Sequence, residues 1–219
     1  MTATATMRRL RHHDYTVAWV CALPLEMAAA KSMLDEIHPN LPTSSNDQNT
    51  YTLGKIHDHN VVIACLPSGV YGTTSATTVA NQMLSTFRSI RFRLMVGIGG
   101  GVPTKEADIR LGDVVVSKPT GDFGGVVQYD FGKTVGQADF ERIGTLNKPP
   151  HILLTAIAKL QADQMMETSR IPEFLSEMIA TYPRMRTEFT YRGQEQDRLF
   201  DAAFDHHALQ NTCDTCEVD

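Results

Sequence analysis

Three short stretches hold the main residues of this chain that could do chemistry. Glu26 stands in Ala22-Leu23-Pro24-Leu25-Glu26, Ser68 and Gly69 in Pro67-Ser68-Gly69-Val70-Tyr71-Gly72, and Gly97, Ile98, Gly99, Gly100 and Gly101 follow the apolar Leu94-Met95-Val96. Pro103 then forbids a simple helical continuation. Glycines at the end of an apolar run let a ligand approach main-chain N–H groups closely. A tight strand-to-loop turn uses the same residues with no ligand at all. Ser68 brings a hydroxyl, although Pro-Ser-Gly is also turn chemistry. Glu26 either holds and deprotonates a water or only complements the N–H groups of a first helical turn. A fourth group lies near the end, where His207 precedes Cys213-Asp214-Thr215-Cys216. Cys213, Cys216 and His207 have zinc-ligand character without the second pair of a complete site, and a solvated tail is the simpler reading.

The two common phosphate motifs fail. The Gly-Lys-Thr at 132–134 falls in a loop-rich stretch and opens no helix, whereas a Walker loop requires one. The dinucleotide fingerprint belongs between the first strand and first helix, whereas the glycines at 97–101 come late and precede a proline.

The elements that must position these residues follow from periodicity. Residues 15–21 are β-rich and apolar enough for a central strand. A helix is expected over 23–37, with Leu23, Met27, Ala30, Leu34 and Ile37 on one face and Pro24 in its first turn. Strands are expected at 51–56 and 61–66, joined by the turn His57-Asp58-His59-Asn60. A helix begins near Thr73, a strand covers 93–98, and the valine-rich 114–117 reads as a strand buried on both faces. Residues 118–146 are loop-rich with one β-like piece at 125–131. Helices follow at 150–164 and 171–182, and no element is expected after Arg184. This order is an α/β pattern whose sheet is mixed by one antiparallel hairpin. Ligands of such sheets bind beyond the carboxyl ends of the strands, where the Glu26, Ser68 and Gly97 loops should lie.

Composition narrows the classes. The 219 residues are 42% hydrophobic, ordinary for a globular protein, and the formal charge of −5 with no basic face argues against nucleic acid. Residues 1–14 read as a flexible basic tail, 15–200 as one α/β domain, and 201–219 as a polar tail. The start lacks an apolar leader core and no stretch is long enough to span a membrane, so a cytoplasmic protein is expected. Cys21 and Cys65, inside apolar runs, read as buried thiols.

Four motifs in register then suggest a family. Ala22-Leu23-Pro24-Leu25-Glu26, Ser68-Gly69-Val70-Tyr71-Gly72, Val96-Gly97-Ile98-Gly99-Gly100-Gly101 and Leu111-Gly112-Asp113-Val114-Val115 stand in the order seen in nucleoside phosphorylases and nucleosidases. The combination looks most like the fungal nucleoside phosphorylase-like domains found at the N-terminus of modular, receptor-like proteins. It is similar, more distantly, to bacterial methylthioadenosine/S-adenosylhomocysteine nucleosidases. The similarity to the fungal domains continues through Asn147-Lys148-Pro149-Pro150 and Ser169-Arg170-Ile171-Pro172-Glu173-Phe174.

The resemblance implies a three-layer α/β fold with a mixed, mostly parallel sheet flanked by helices. It also implies cleavage of the N-glycosidic bond of a purine nucleoside or nucleotide, with no cofactor. Charge develops on sugar and base in such a transition state. Glu26 matches the acid of the nucleosidase branch, and Ser68, Gly69 and 97–101 match its substrate-binding loops. Phosphorylases place arginine in these loops, where this chain has Met95 before Val-Gly, so water is favoured over phosphate as the attacking group. The family's Met-Glu ribose clamp and strand-terminal Asp are not found after Tyr191. The chain therefore reads as a truncated domain of doubtful activity that is prone to self-association. A non-catalytic nucleoside-sensing or interaction module is the alternative.

Overall fold

In the computed structural model, which describes residues 10–136 and 139–199, the first apolar run forms strand β1 (Val17–Cys21). Val17 and Cys21 share one buried cluster with Val61 and Ile63, while Ala18 and Val20 share another with Val62 and Ala64. That alternation is the period of two of strands buried on both faces. Helix α1 (Pro24–Ser32) covers the first face with Met27 and Ala30. Helix α2 (Thr73–Thr86) covers the second with Val79 and Met83, backed by Phe87. Helix, sheet and helix make three layers.

The sheet holds β1 together with β2 (Glu36–His38), β3 (Tyr51–Ile56), β4 (His59–Cys65) and β5 (Phe92–Met95), in the order β2-β3-β4-β1-β5. β1 runs parallel to β4 and β5, whereas β3 is antiparallel to β2 and β4. The mixed α/β sheet flanked by helices is thus present. Cys21 pairs with Cys65 and Val20 with Met95, so three neighbouring strands deliver their carboxyl ends side by side.

Several local expectations need correction. The first helix stops at Ser32, five residues short, because 36–38 are drawn into the sheet against β3. Gly54 permits that approach, since a Cβ there would sit 2.6 Å from the Glu36 carbonyl oxygen. The hairpin is tighter than the four-residue turn implied, with β4 starting at His59 and His57 at φ 48°. The strand expected over 93–98 ends at Met95, because Ile98 turns its N–H to a carboxylate instead of a ladder. Residues 114–117 form no strand, and Val114, Val115 and Val116 are exposed. An apolar run without a partner strand has no ladder to join. The piece at 125–131 is also not a strand; β6 (Gly132–Val135) and β7 (Asp139–Arg142) pair antiparallel just beyond it. Helices α3 (His151–Met166) and α4 (Ile171–Thr181) lie where periodicity puts them, and a short α5 (Arg186–Phe189) follows in the stretch read as irregular.

The described chain falls into two compact units. The sheet, α1, α2 and Phe174–Phe189 belong to the first; Gly101–Glu173 and the described residues from Thr190 belong to the second. Within the stretch read as a basic tail, Leu10 packs against the core and His12–Asp14 form a 3-10 turn. No helix among the described residues is long and apolar enough to cross a membrane.

Candidate functional site

Glu26 enters the site through local helix chemistry. It sits at the third position of α1, behind Pro24, where free N–H groups await a carboxylate. Its Oε2 accepts from Ala22 N–H at 2.7 Å and Leu23 N–H at 2.9 Å. Its Oε1 accepts from Ile98 N–H at 2.8 Å. The side chain is only 8% exposed. Burial alone would raise its pKa, but the donors from Ile98, Leu23 and Ala22 outweigh it, so the carboxyl titrates below its ordinary value. Glu26 is therefore an anion at neutral pH. A carboxylate has about four acceptor positions, and three are filled by backbone.

The glycine loop is organised around that carboxylate. A Cβ on Gly97 would lie 2.4 Å from Glu26 Oε1, so position 97 is glycine because the carboxylate occupies the space. Gly99 and Gly100 face open space and are exposed, as a ligand-facing backbone would be. Gly101 is held differently, with Ile109 Cγ2 2.8 Å from where its Cβ would stand. The N–H of Ile98, within the loop the sequence reads as substrate-binding, donates to Glu26.

The second loop leaves β4 beside β1, joined by Leu66 N–H to the Cys21 carbonyl at 3.0 Å. Gly69 turns the chain at φ 79° and Gly72 caps α2 at φ 102°, which are glycine conformations. Ser68 is exposed and makes no hydrogen bond among the described residues, so its hydroxyl is available. Glu26 and the Gly97–Gly100 loop are brought together; Ser68 shares their edge of the sheet without bonding to them. The metal candidates Cys213, Cys216 and His207 lie outside the described residues, and no metal-holding cluster occurs among the described ones.

Sequence reasoning missed the thiols' place at this edge. Cys21 is fully buried with its thiol pushed up to about 12, by burial first and then by Cys65 and Glu26. Burial and Glu26 also raise Cys65. The signal was available: both cysteines end strands that precede candidate loops.

No family model matches the chain, and no solved structure matches it. Over 203 residues it is 46% identical to a protein of Hyaloscypha variabilis named nucleotide-binding leucine-rich repeat (NLR)-like protein. The match takes in 91% of this chain and 20% of that protein. The chain thus spans about a fifth of the length of the curated relative it matches, and is similar to one portion of a much longer protein.

Proposed function

We propose that this chain is a nucleoside phosphorylase-like module of a larger protein, taking a purine nucleoside or nucleotide at the carboxyl ends of β4, β1 and β5. Its reaction is hydrolysis of the N-glycosidic bond, with water attacking the sugar. The observation that carries this reading is Glu26, a buried carboxylate that draws the β1 and β5 loops together and keeps one acceptor position on Oε1. A water or a sugar hydroxyl is the partner this reading assigns to that position. The exposed backbone of Gly99 and Gly100 supports close approach of the sugar. Met95 brings no charge to the loop, and a phosphate dianion needs cationic donors. The setting we assign is cytoplasmic, with no cofactor.

The test is release of free adenine from adenosine, AMP and methylthioadenosine, with and without phosphate. Release independent of phosphate is the expected result, and dependence on phosphate overturns the choice of water. Removing a positioned acid–base group costs about 10²–10⁴ in rate. A Glu26→Gln variant that keeps its rate would remove the carboxylate from the chemistry.

A second reading has its own support. A carboxylate bound by three N–H groups and titrating low is a weak proton acceptor. On this reading the loops bind a nucleoside or nucleotide without turning it over, as suits a sensing part of a protein such as the nucleotide-binding relative. Saturable binding of adenosine or AMP with no base release distinguishes it.

A further inference from the structure

Far from the carboxyl-end loops, a cleft of about 960 Å³ opens among residues that precede β1, follow β2 and end α2. Leu10, Arg11, His12, His13, Pro42 and Arg88 are among its lining. In a chain with net charge −5, this cleft brings two arginines together. The frame that holds them is fixed. Arg11 N–H donates to Asp14 Oδ2 at 2.8 Å, His12 Nε2 donates to the Pro42 carbonyl at 2.9 Å, and the His12 ring lies 5.2 Å from that of Phe87. Arg88 Nε reaches the Ser85 carbonyl at 3.4 Å, an ordinary contact for a cation at a helix end, which leaves both of its Nη groups over.

We propose that this cleft binds a phosphate-bearing small molecule, with Arg11 and Arg88 as its charged donors. Neither guanidinium joins an ion pair among the described residues. Two carboxylates stand nearby, and both are engaged. Asp14 takes the Arg11 N–H and lies 3.6 Å from His13 Nε2, while Asp47 takes the hydroxyls of Tyr51 and Thr86. The two guanidinium forks match the geometry of tetrahedral oxyanions, which accept several N–H bonds at once. The volume is that of a small-molecule site and leaves room for the group to be carried on a larger body. The site is independent of the Glu26 loops and of the reading given to them.

The test is calorimetric titration of the 219-residue chain at fixed ionic strength with inorganic phosphate, pyrophosphate and ADP. Saturable binding of pyrophosphate and ADP is expected, with inorganic phosphate weaker. The Arg11→Ala/Arg88→Ala double variant should lose at least tenfold in affinity for both, and the corresponding Lys pair should lose less. Both residues are exposed, so the variants should keep the fold, checked by far-UV circular dichroism. Binding of phosphate-free adenosine should not change in either variant. Absence of saturable binding by any of the three anions overturns the proposal, as does an unchanged affinity in the Ala pair. ADP binding that is lost in Gly97→Ala but kept in the Ala pair would overturn it too, by moving the ligand to the glycine loop.

Discussion

Glu26 and Ile98 lie 72 residues apart and are joined by a 2.8 Å hydrogen bond from the Ile98 N–H to the carboxylate. Because the other carboxylate oxygen holds Ala22 and Leu23, one side chain fastens the exit of β1 to the exit of β5. The residue with the strongest chemical promise is therefore also a structural tie. The two roles separate in a Glu26→Gln variant. Its amide keeps one acceptor oxygen and turns an NH₂ toward N–H donors, leaving at least one donor unpaired in either orientation. An unpaired buried donor costs about 1–3 kcal/mol, so urea unfolding should show that loss whether or not base release changes.

Acid should weaken the same tie. The folded pKa of Glu26 is depressed, so its contribution is complete above its unfolded value of about 4.3 and disappears as pH falls through the folded value. The stability gap between wild type and Glu26→Gln should be full at pH 7 and shrink toward pH 3. A gap that is constant across that window would mean the carboxylate charge plays no part.

The glycines of the loop should respond unequally to a single methyl group. In Gly97→Ala the new Cβ meets Glu26 Oε1 at 2.4 Å and Cδ at 2.8 Å, so the carboxylate must leave Ile98. Forcing extra atoms into such a site costs about 1–3 kcal/mol. Gly99→Ala and Gly100→Ala meet nothing within 4 Å and should change stability by less than about 0.5 kcal/mol. Thermal unfolding of the three variants makes the comparison.

The sequence made β1, the hairpin and α2 legible because each is carried by local patterns: an apolar run, an Asp/Asn turn, a helical stripe. It marked Glu26 for the same reason, as an acid in a proline-opened first turn. What stayed hidden depends on contacts distant in sequence. The short β2 was absorbed into a helix whose stripe continued to Ile37, since only its pairing with Gly54 makes it a strand. The valines at 114–116 have strand composition and no ladder. Gly97 looked like a ligand-facing glycine, and only the fold reveals the carboxylate beside it.

Cys21 and Cys65 should differ in reactivity despite being cross-strand neighbours. Only the thiolate reacts, and Cys21 is fully buried with its thiol pushed up to about 12. Alkylation at pH 8, followed peptide by peptide by mass spectrometry, should modify partly exposed Cys65 ahead of Cys21 in the native protein. Unfolding in urea should bring the two rates together. Fast native labelling of Cys21 would contradict its burial.

Tyr51 shows where a buried polar group matters on the other face of the sheet. Its hydroxyl donates to Asp47 Oδ2 at 2.8 Å and accepts from Asn49 Nδ2 at 2.9 Å, while its ring centroid lies 5.1 Å from that of Phe87. Burial, reinforced by Asp47, pushes its ionisation far above the ordinary range, so the hydroxyl remains a donor throughout the accessible pH range. Tyr51→Phe keeps the ring and removes the donor, which should cost about 1–3 kcal/mol because the acceptor is charged. Tyr51→Ala also opens a cavity beside Phe87 and should cost about 3–5 kcal/mol. The partners Tyr51 and Asp47 share one network, so their losses should not add. Measured by urea unfolding, Tyr51→Phe should cost less in an Asp47→Ala background than in the wild type; an equal cost in both would place the hydroxyl's contribution elsewhere.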